Sequence, residues 1–453
     1  MVHKFAARHA TSMDAESGDN WGPHGRGYYV ANRLMWNPDV DVDALLADFY
    51  EKAFGPGAAA MRRYYERLDP GNKPLMSKSL LGQAFRDVDE ASRLAKNRPD
   101  VLARLADIKI YLHFIHLTWM LDHEADKAKK KDLTLAAITH AYRTRRTYMN
   151  HWQAILQTWT KKAAEEFDEP TWAPNVKGKK PWTDAGPYTT EEMGKDFQDA
   201  LAYFQPQPME EKQFSSDLVA VQFPIIAPSN VPKKNAKPPA GPAASAQYYQ
   251  GGLRYALFSL TGESLDLEVV TGTIAWYRDR PDARYSLKTA SDEMLTEGRL
   301  KLDGETHPLS LKVSKPGLYF FDFVDSGAGW KIRMAAGKPC TIPLLRDKKF
   351  SHAGSMQRMF FYVPKGTAKI DYFWMGGPHK VLDPQGKVVQ EVKTKGEFVS
   401  VPVPPGMDAK LWSFTQLSLG HLWFFNVPNY VAASPEALLV PKEVANEDGL
   451  VIR

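Results

Sequence analysis

The chain has very little cysteine, no long apolar run and no strong excess of charge of either sign. Cys340 is the single cysteine among 453 residues, so an intrachain disulfide and a multi-cysteine zinc site are both excluded. No apolar run approaches the roughly 20 residues that a membrane-spanning helix needs. The net charge of +5 is too weak for a dedicated nucleic-acid binder, which concentrates basic residues on one face. The sequence therefore predicts no membrane span and no nucleic-acid partner.

The composition predicts a folded protein with several units. Hydrophobic residues make up 43% and aromatic residues 12% of the chain, which is enough to bury a sizeable core. At roughly 150 residues per domain, the length predicts about three folding units. Residues 1–10 lack the charged-then-apolar pattern of a secretory signal. The lack of disulfides does not exclude secretion, because a secreted bacterial enzyme can also lack them. The sequence therefore does not decide the cellular compartment, and secretion or a periplasmic location is favoured.

Helical periodicity dominates the region from about residue 41 to residue 204. Asp41 or Asp43 is placed to cap a first helix. Gly55 and Pro56 end that helix and start the next one, because proline is favoured in a first turn. Further helices are predicted over about 80–95, 100–125 and 133–167, and a short one beginning at Thr189 or Thr190.

A change of periodicity separates this region from the rest of the chain. Residues 228–246 are rich in proline, alanine and lysine and are predicted to form an exposed linker or long loop. After Gly252 the apolar period becomes two, and short β-rich runs alternate with Gly, Pro and Asp. Residues 364–367 and 383–387 are typical of hairpin turns between strands. Many short strands at regular spacing predict one or two antiparallel β-sandwiches.

The segment Thr11 to Tyr50 has the pattern of a single βα unit. It combines a brief strand, a glycine-rich loop and a helix from about Gly27 to Trp36. Asp14 and Glu16 are two residues apart, so on a strand they project from the same face. In (β/α)₈ barrels the strand ends and the loops that follow them build the active site. The segment is therefore a candidate for part of an active site.

The residues of this segment resemble the end of the barrel in a bacterial, glycoside-hydrolase-like family named only as domain-of-unknown-function family 4838. The stretches that carry the resemblance are Glu16-Ser17, Asn20-Trp21-Gly22-Pro23, Gly25, Gly27-Tyr28-Tyr29-Val30, Arg33-Leu34 and Trp36-Asn37-Pro38-Asp39. The same order of motifs is similar to that in the α-glucuronidases that trim xylan. The spacing between the Asn-Trp loop and the Arg-Leu pair is shorter in this chain. The resemblance covers about residues 11–68 and extends less closely through the helical region. It implies a carbohydrate-active protein.

The resemblance is incomplete, because a whole barrel needs about 250 residues with eight strands and eight helices. Only enough chain for the last strand and helix precedes Asp41. We therefore expect the chain to be the C-terminal portion of a longer protein, with an upstream barrel segment as its partner. The predicted fold class is multidomain α+β. It comprises a remnant of the last βα unit of a (β/α)₈ barrel (1–40), an α-helical domain (41–215) and two β-sandwiches (216–345 and 346–453).

Two groups of residues in the first unit are candidates for carbohydrate chemistry. Glycoside hydrolysis uses paired carboxylates, so Glu16 and Asp14 are the catalytic candidates. The alternative for Glu16 is a capping role in the loop or in the next helix. Asn20, Trp21 and His24 are the substrate-binding candidates, because an indole stacks on a pyranose while amide and imidazole groups bond to hydroxyls. Their alternative role is to close the barrel end.

Histidines of the helical region are weighed as metal ligands and rejected. His113 and His116 share a helix face, and His123 lies further along the same helix. The position four residues after His123 is Lys127, so the zincin spacing is missing. Structural histidines are favoured, and neither a metal nor another cofactor is predicted. The basic runs at 127–131 and 177–180 are interpreted as solvated faces.

The β region is rich in aromatic residues, including Trp276, Trp330, Trp423 and the triplet Tyr372-Phe373-Trp374. Alternation predicts that about half face the cores, and that one member of the triplet points outward unless both faces are covered. Core packing is favoured over a polysaccharide-binding surface. Cys340 has no activating neighbour in the sequence and is given no nucleophilic role.

Two functions of different classes follow. The first is the C-terminal portion of a glycoside-hydrolase-like protein that acts on a polysaccharide or uronoside and is inactive as this chain alone. The alternative is a non-catalytic carbohydrate-binding or cell-surface scaffolding protein. Whether the chain is an enzyme stays open at this point, since the hydrolase assignment depends on resemblance and the domain plan on periodicity.

Overall fold

The structure is a computed structural model that describes residues 20–223, 247–334, 338–347, 358–393, 396–417 and 420–453, together with Phe5, residues 7–9, Ser12 and Gly18. Contacts divide the chain into Met1–Pro206, here called the helical unit, and Gln207–Arg453, here called the β unit. The fold is mixed α+β, as the periodicity predicts. The predicted strand with Asp14 and Glu16, and the predicted linker at 228–246, lie outside the described residues.

The helical unit is built from amphipathic helices around one main core. In chain order the helices are α1 Trp21–Trp36, α2 Val42–Phe54, α3 Ala58–Leu68, α4 Lys78–Leu94, α5 Pro99–His123, α6 Lys127–Arg143, α7 Trp152–Glu166 and α8 Thr190–Tyr203. The main core buries Phe85, Leu105 and Phe204 completely. A second cluster, around Ile138 and Trp172, lies between α6, α7 and the turn after α7.

Local capping chemistry explains where several helices begin. Asp41 accepts hydrogen bonds from the backbone N–H groups of Asp43 (2.9 Å) and Ala44 (3.1 Å), which confirms it as the cap of α2. Gly55 follows α2 with φ +47°, a conformation that favours glycine. Pro56 lies in a short 3₁₀ turn, Gly55–Gly57, and α3 begins only at Ala58.

The predicted loop after Asn20 is wrong, because α1 already begins at Trp21 instead of Gly27. Pro23 is compatible with a first helical turn, where its missing N–H is not needed. Gly22 permits a close approach: a Cβ there would lie 1.9 Å from the Met149 sulfur. The Gly22 N–H also donates to the Tyr148 carbonyl at 3.0 Å. Tertiary contact with the turn before α7 therefore extends the helix through residues that favour a loop.

The single helix predicted over 133–167 is also wrong, since the chain forms α6 and α7 with a break at 144–151. At 1.5 Å per residue an unbroken helix would be about 52 Å long. The break contains Tyr148 at φ +56°, an uncommon conformation for a residue with a side chain. It lets α7 pack against α6, so that Ala163 and Ala164 join the cluster of Ile138. Burial of these faces outweighs the local preference for continuous helix.

The start of α8 provides a test of capping energetics. The Thr189 hydroxyl accepts from the Glu192 N–H at 3.1 Å, and the Glu192 carboxylate accepts from the Thr189 N–H at 2.7 Å. This capping box confirms Thr189 as the start signal. We expect Thr189→Ala to lower the free energy of unfolding by about 1 kcal/mol, measured by urea denaturation. Thr189→Ser is the control, since it keeps the acceptor, and equal losses for both variants would contradict the capping role.

The described residues of the β unit form short strands and a short α-helix. The strands are β1 Leu218–Gln222, β2 Gln247–Tyr249, β3 Gly252–Ser259, β4 Leu265–Thr271, β5 Ala283–Thr289, β6 Met294–Leu300, β7 Thr306–Leu311, β8 Gly317–Val324, β9 Trp330–Met334, β10 Cys340–Pro343, β11 Met359–Val363, β12 Lys369–Gly376, β13 His379–Leu382, β14 Val388–Val392, β15 Glu397–Pro402, β16 Lys410–Thr415, β17 Gly420–Phe424, β18 Tyr430–Val431, β19 Leu439–Pro441 and β20 Val451–Ile452, with helix α9 at Lys442–Glu447.

These strands form several sheets in which every described pairing is antiparallel. The strand orders are β19-β1-β20, β18-β10-β3-β8-β5-β6, β2-β9-β4-β7, β11-β16-β13-β14 and β15-β12-β17. β18 pairs with β10, so strands from both sides of the predicted boundary at 345/346 share a sheet. The four-domain plan and the sandwich arrangement stay predictions.

The main core of the β unit is aromatic. Trp330, Trp374 and Trp412 are fully buried in one cluster. The triplet on β12 is buried throughout, because Tyr372 and Trp374 join this cluster while Phe373 packs against Phe398 and His421. Both faces of the central strand β12 are therefore covered, which is the exception that the alternation rule allows.

The two predicted turns have different outcomes. Residues 383–387 join the paired strands β13 and β14, and the Asp383 N–H donates to the Lys387 carbonyl at 3.0 Å, which confirms a hairpin. Residues 364–367 also turn, with the Thr367 N–H donating to the Pro364 carbonyl at 3.3 Å. That turn leads from β11 to β12, which lie in different sheets. The prediction of a hairpin there is wrong, since turn chemistry does not decide which strands pair.

Within the described part of the chain, none of the helices combines the length and the apolar character that crossing a bilayer requires.

Candidate functional site

An aromatic groove in the β unit has the chemistry of a ligand site. It is a cavity of about 250 Å³ between the chain before β1 and strands of two sheets. Its apolar walls are formed by Phe214, Phe320, Leu344, Trp423 and Tyr430. The four aromatic side chains are only partly buried, so flat apolar faces remain open to a ligand.

Trp423 is held in a fixed orientation at the edge of this groove. It lies on β17, an edge strand of its sheet. Its indole N–H donates to Glu211 Oε1 at 3.1 Å. The other oxygen of Glu211 accepts from Arg346 Nη1 at 2.6 Å, and the Arg346 guanidinium lies 5.7 Å from the Trp423 ring centroid. An indole fixed in this way loses little conformational freedom when a ligand stacks on it.

Two cations give the groove a positive wall. Arg254 Nε and Nη2 donate to the two oxygens of Asp322, each at 2.7 Å, and this carboxylate raises the pKa of the guanidinium. The Arg254 guanidinium also lies 5.1 Å from the Phe320 ring centroid. Lys212 lies 5.1 Å from the Phe214 ring centroid and has no carboxylate partner within the described ranges. A ligand with a carboxylate would complement this charge.

A second cluster of titratable groups lies in the helical unit. The His113 and His140 rings approach to 4.9 Å, and the His113 and His116 rings to 6.3 Å. His113 Nε2 lies 3.4 Å from Asp196 Oδ2. Burial lowers the pKa of His113 and His116 to about 4 and that of His140 to about 3. All three imidazoles are therefore neutral at pH 7.

The hydrogen bonds of His140 fix its tautomer. His140 Nε2 lies 3.1 Å from the Ile110 carbonyl oxygen, which only accepts, so Nε2 carries the proton. His140 Nδ1 then accepts from the Tyr188 hydroxyl at 3.1 Å. The Arg143 guanidinium stacks 3.6 Å from the Tyr188 ring centroid and pairs with Glu192. The cluster thus joins α5 and α6 through a neutral hydrogen bond, and it reaches α8 through the carboxylates of Asp196 and Glu192.

The histidines weighed as metal ligands do not form one constellation. His123 stacks on Trp119 and its Nδ1 lies 2.7 Å from the Trp119 carbonyl, apart from the His113 cluster. In the ranges that the structure describes, no group of three or more His, Cys, Asp or Glu side chains is arranged to hold a metal ion. Cys340 packs against the β core, where burial raises its pKa to about 12.

The predicted substrate-binding residues lie at the start of α1. Trp21 is 48% exposed, and its ring lies 4.5 Å from that of Tyr28. His24 is exposed on the same helix, 6.3 Å from the Tyr28 ring, and Asn20 is the residue before the helix. The structure thus brings Trp21 and His24 together around Tyr28. The catalytic candidates Asp14 and Glu16 lie outside the described residues.

Residues 2–67 match the model of a protein family described as Domain of unknown function (DUF4838). This N-terminal segment is similar to that family. The match contains all five predicted site residues of the first unit and ends within α3. No curated protein matches the chain.

Within this segment, Arg26 and Tyr29 connect α1 to the helices that follow it. Its guanidinium donates to Asp69 at 2.7 Å and to the Tyr50 hydroxyl at 3.1 Å. The Tyr29 and Phe49 rings approach to 5.6 Å. No residue of α1 is fully buried, so the helix carries Trp21 and His24 on an accessible surface.

Sequence reasoning missed the groove. In the sequence, Trp423 is one of many aromatic residues of the β region, and no pattern distinguishes Glu211, Lys212 or Arg254. These residues are separated by up to 212 positions along the chain, and no local motif joins them. The only sequence signal was the excess of aromatic residues.

Proposed function

We propose that this chain is part of a glycoside-hydrolase-like, carbohydrate-active protein and that its β unit binds polysaccharide in the aromatic groove without hydrolysing it. The observation that carries the proposal is the half-buried Trp423 ring, held by Glu211 and Arg346 at the edge of a groove with aromatic walls. A fixed indole is a suitable platform for the apolar face of a pyranose.

The charge of the groove supports an acidic sugar as ligand. Arg254 keeps one terminal nitrogen free of the Asp322 pair, and Lys212 has no carboxylate partner within the described ranges. A guanidinium and an ammonium beside aromatic walls suit a pyranose that bears a carboxylate, such as a uronic acid. Glu211 is engaged by Arg346 and by the indole, so it positions Trp423 and is not a free general acid.

We propose a separate role for the DUF4838 segment. We assign it to the terminal βα unit of a (β/α)₈ barrel, with Glu16 and Asp14 as the catalytic carboxylates of the whole protein. Asn20, Trp21 and His24 would contact sugar at the barrel rim, and the exposure of Trp21 and His24 supports this role. The alternating β region would form one or two sandwiches.

Glycan binding by the purified chain tests the proposal. We expect binding to glucuronoxylan and to polygalacturonate in affinity electrophoresis, and we expect Trp423→Ala to weaken it at least tenfold. Stacking on an aromatic ring and its fixed geometry are both lost in that variant. Trp423→Phe keeps a ring and is the matched control. The chain alone should release no reducing sugar from either polymer.

Two results would contradict the proposal. Unchanged binding by Trp423→Ala would remove the groove as the site. Steady release of reducing sugar by the purified chain would show that the chain is itself catalytic, which the proposal denies. A control variant, Trp36→Ala, removes a tryptophan that is 90% exposed in the helical unit and should leave binding at the groove unchanged.

A further inference from the structure

The loop between β4 and β5 presents a tryptophan to solvent. Trp276 is 76% exposed and lies on a short 3₁₀ turn, Ala275–Tyr277. Its ring lies 6.0 Å from that of Tyr277, which packs against the core of the β unit. Single exposed apolar residues are common on protein surfaces, so exposure by itself assigns no role. What distinguishes Trp276 is the way in which its loop is braced.

Backbone contacts hold this loop in one conformation. The N–H groups of Thr273 and Ile274 donate to the carbonyls of Gly329 (3.1 Å) and Ala328 (2.8 Å). Gly272 has φ +64°, and a Cβ there would lie 2.6 Å from the backbone of Leu302. A side chain larger than hydrogen at Gly272 would therefore displace the loop. The indole of Trp276 is presented by a pre-organised segment, so binding would cost little ordering.

Two arginines flank Trp276 and are anchored through backbone carbonyls. Arg278 Nε donates to the Gly272 carbonyl at 2.8 Å. Arg280 Nη1 donates to the Ser326 carbonyl at 2.6 Å, and its guanidinium stacks 3.7 Å from the Tyr277 ring centroid. Neither guanidinium pairs with a carboxylate in the described part of the β unit. Each therefore keeps N–H donors that can bond to a ligand.

The same loop supplies acceptors as well as donors. Asp279 and Asp282 are exposed, and neither forms an ion pair within the described ranges. With Arg278 and Arg280 they make the net charge of residues 272–282 zero. An aromatic ring with adjacent donors and acceptors and no net charge suits the apolar face and the hydroxyls of an uncharged sugar. The aromatic groove, in contrast, has a positive wall.

We propose that Trp276, Arg278, Arg280 and Asp279 form a second glycan-binding site that takes a neutral pyranose. This inference rests on the proposed function, because it assigns the loop to the same class of ligand as the groove. The two sites then differ in preference: the groove takes carboxylate-bearing sugars, and the loop takes uncharged ones. A polymer that contains both kinds of sugar can engage both sites and gain affinity through effective concentration.

Calorimetric titration with short oligosaccharides separates the two sites. We expect xylohexaose or cellohexaose, both uncharged, to bind the wild-type chain with one site. Trp276→Ala should weaken that binding at least tenfold, while Trp423→Ala leaves it unchanged. Binding of a tetramer of galacturonic acid should be weakened by Trp423→Ala and left unchanged by Trp276→Ala. Because the loop has no net charge while the groove has a positive wall, raising the NaCl concentration about tenfold should weaken the binding of the acidic ligand alone.

Controls separate loss of a site from loss of fold. Trp276 is exposed, so Trp276→Ala should keep the wild-type thermal midpoint. Trp276→Phe keeps an aromatic face and should retain most of the binding to xylohexaose. Arg280→Lys keeps the charge but not the planar guanidinium that stacks on Tyr277, so we expect a smaller loss than for Trp276→Ala.

The outcomes distinguish this inference from the proposed function. The second site is overturned if Trp276→Ala binds both neutral oligosaccharides as the wild type does, or if the wild type binds neither of them. In both cases, binding of the acidic tetramer would leave the assignment of the groove in place. Loss of neutral binding in Trp276→Ala without any acidic binding supports the second site and overturns the groove. Vesicles of phosphatidylcholine and phosphatidylserine (3:1) that bind through Trp276 would overturn the glycan assignment of the loop.

Discussion

Lowering the pH from 7 to 5 should destabilise the helical unit by about 3 kcal/mol. Burial, the largest effect, lowers the pKa of His113 and His116 to about 4 and that of His140 to about 3. In the unfolded chain histidine has a pKa of about 6.5. At pH 5 each histidine that stays neutral in the fold therefore favours the unfolded state by up to about 2 kcal/mol.

The sign of this effect follows from proton binding. Between pH 6.5 and pH 4 the unfolded state binds protons that the folded state does not, so stability is full above pH 6.5 and falls as the pH falls. Asp196 acts in the opposite direction, because burial raises its pKa and its protonation favours the fold. His113 and His116 are only partly buried. The expected sum is therefore about half of the limit of roughly 6 kcal/mol for three histidines.

Urea unfolding of the full chain, followed by circular dichroism at 222 nm, measures this change at the two pH values. His140→Gln is the informative variant, because it removes the most buried imidazole. Its loss of stability between pH 7 and pH 5 should be smaller than that of the wild type by about 1–2 kcal/mol. A helical transition that is equally stable at both pH values would contradict the assignment of neutral, buried imidazoles.

The second large effect concerns the core of the β unit. We expect Trp330→Ala to lower its free energy of unfolding by about 4 kcal/mol, since it removes a large ring from a closely packed site. Trp330 has no exposed surface, and its ring approaches those of Phe323 (4.4 Å) and Tyr249 (4.9 Å). Its indole N–H donates to the Gly251 carbonyl at 3.1 Å, and in the variant this carbonyl would keep only the bond from the Asp325 N–H.

Trp276→Ala is the matched control for this measurement. It removes the same side chain from a position that is 76% exposed in the same unit, so its cost should stay within about 0.5 kcal/mol. Thermal unfolding followed by tryptophan fluorescence and by far-ultraviolet circular dichroism compares the two variants. Similar midpoints for Trp330→Ala and Trp276→Ala would contradict the packing that places one indole in the core and the other in solvent.

Several local features could be predicted from the sequence because they depend on residues a few positions apart. Asp41 and Thr189 begin α2 and α8 through bonds to N–H groups within three residues. The turn at 383–387 is stabilised by Asp383, whose carboxylate accepts from the N–H groups of Gln385 and Lys387. Such contacts form in the same way whatever the rest of the chain does.

Other local predictions were wrong because distant residues decided the outcome. The glycines and Pro23 favour a loop before Gly27, yet contact with Tyr148 and Met149 extends α1 to Trp21. The helix expected over 133–167 breaks so that α7 can pack on α6. The turn at 364–367 forms where predicted but leads into another sheet. In the two helical cases, burial between distant elements outweighs a local preference of about 1 kcal/mol per residue. At the turn, the pairing of distant strands decides which sheet each strand joins.

The candidate sites divide in the same way. That His113 and His116 share a face followed from their spacing, but their contact with His140 and Asp196 required α6 and α8 to pack on α5. The groove brings Glu211 to Trp423 from 212 positions away. No periodicity or motif encodes that approach, because it depends on how strands of different sheets are placed.

By itself, the sequence determined the order of a helical region and a β region, the caps of individual helices, and the similarity of the segment 2–67 to the DUF4838 family. These depend on periodicity, on short-range hydrogen bonds and on a contiguous stretch of residues. The tertiary structure alone decided where α1 begins, which strands pair, and which tryptophans face solvent. Those outcomes follow from the burial of apolar surface between residues far apart in the chain, a free energy that no local stretch contains.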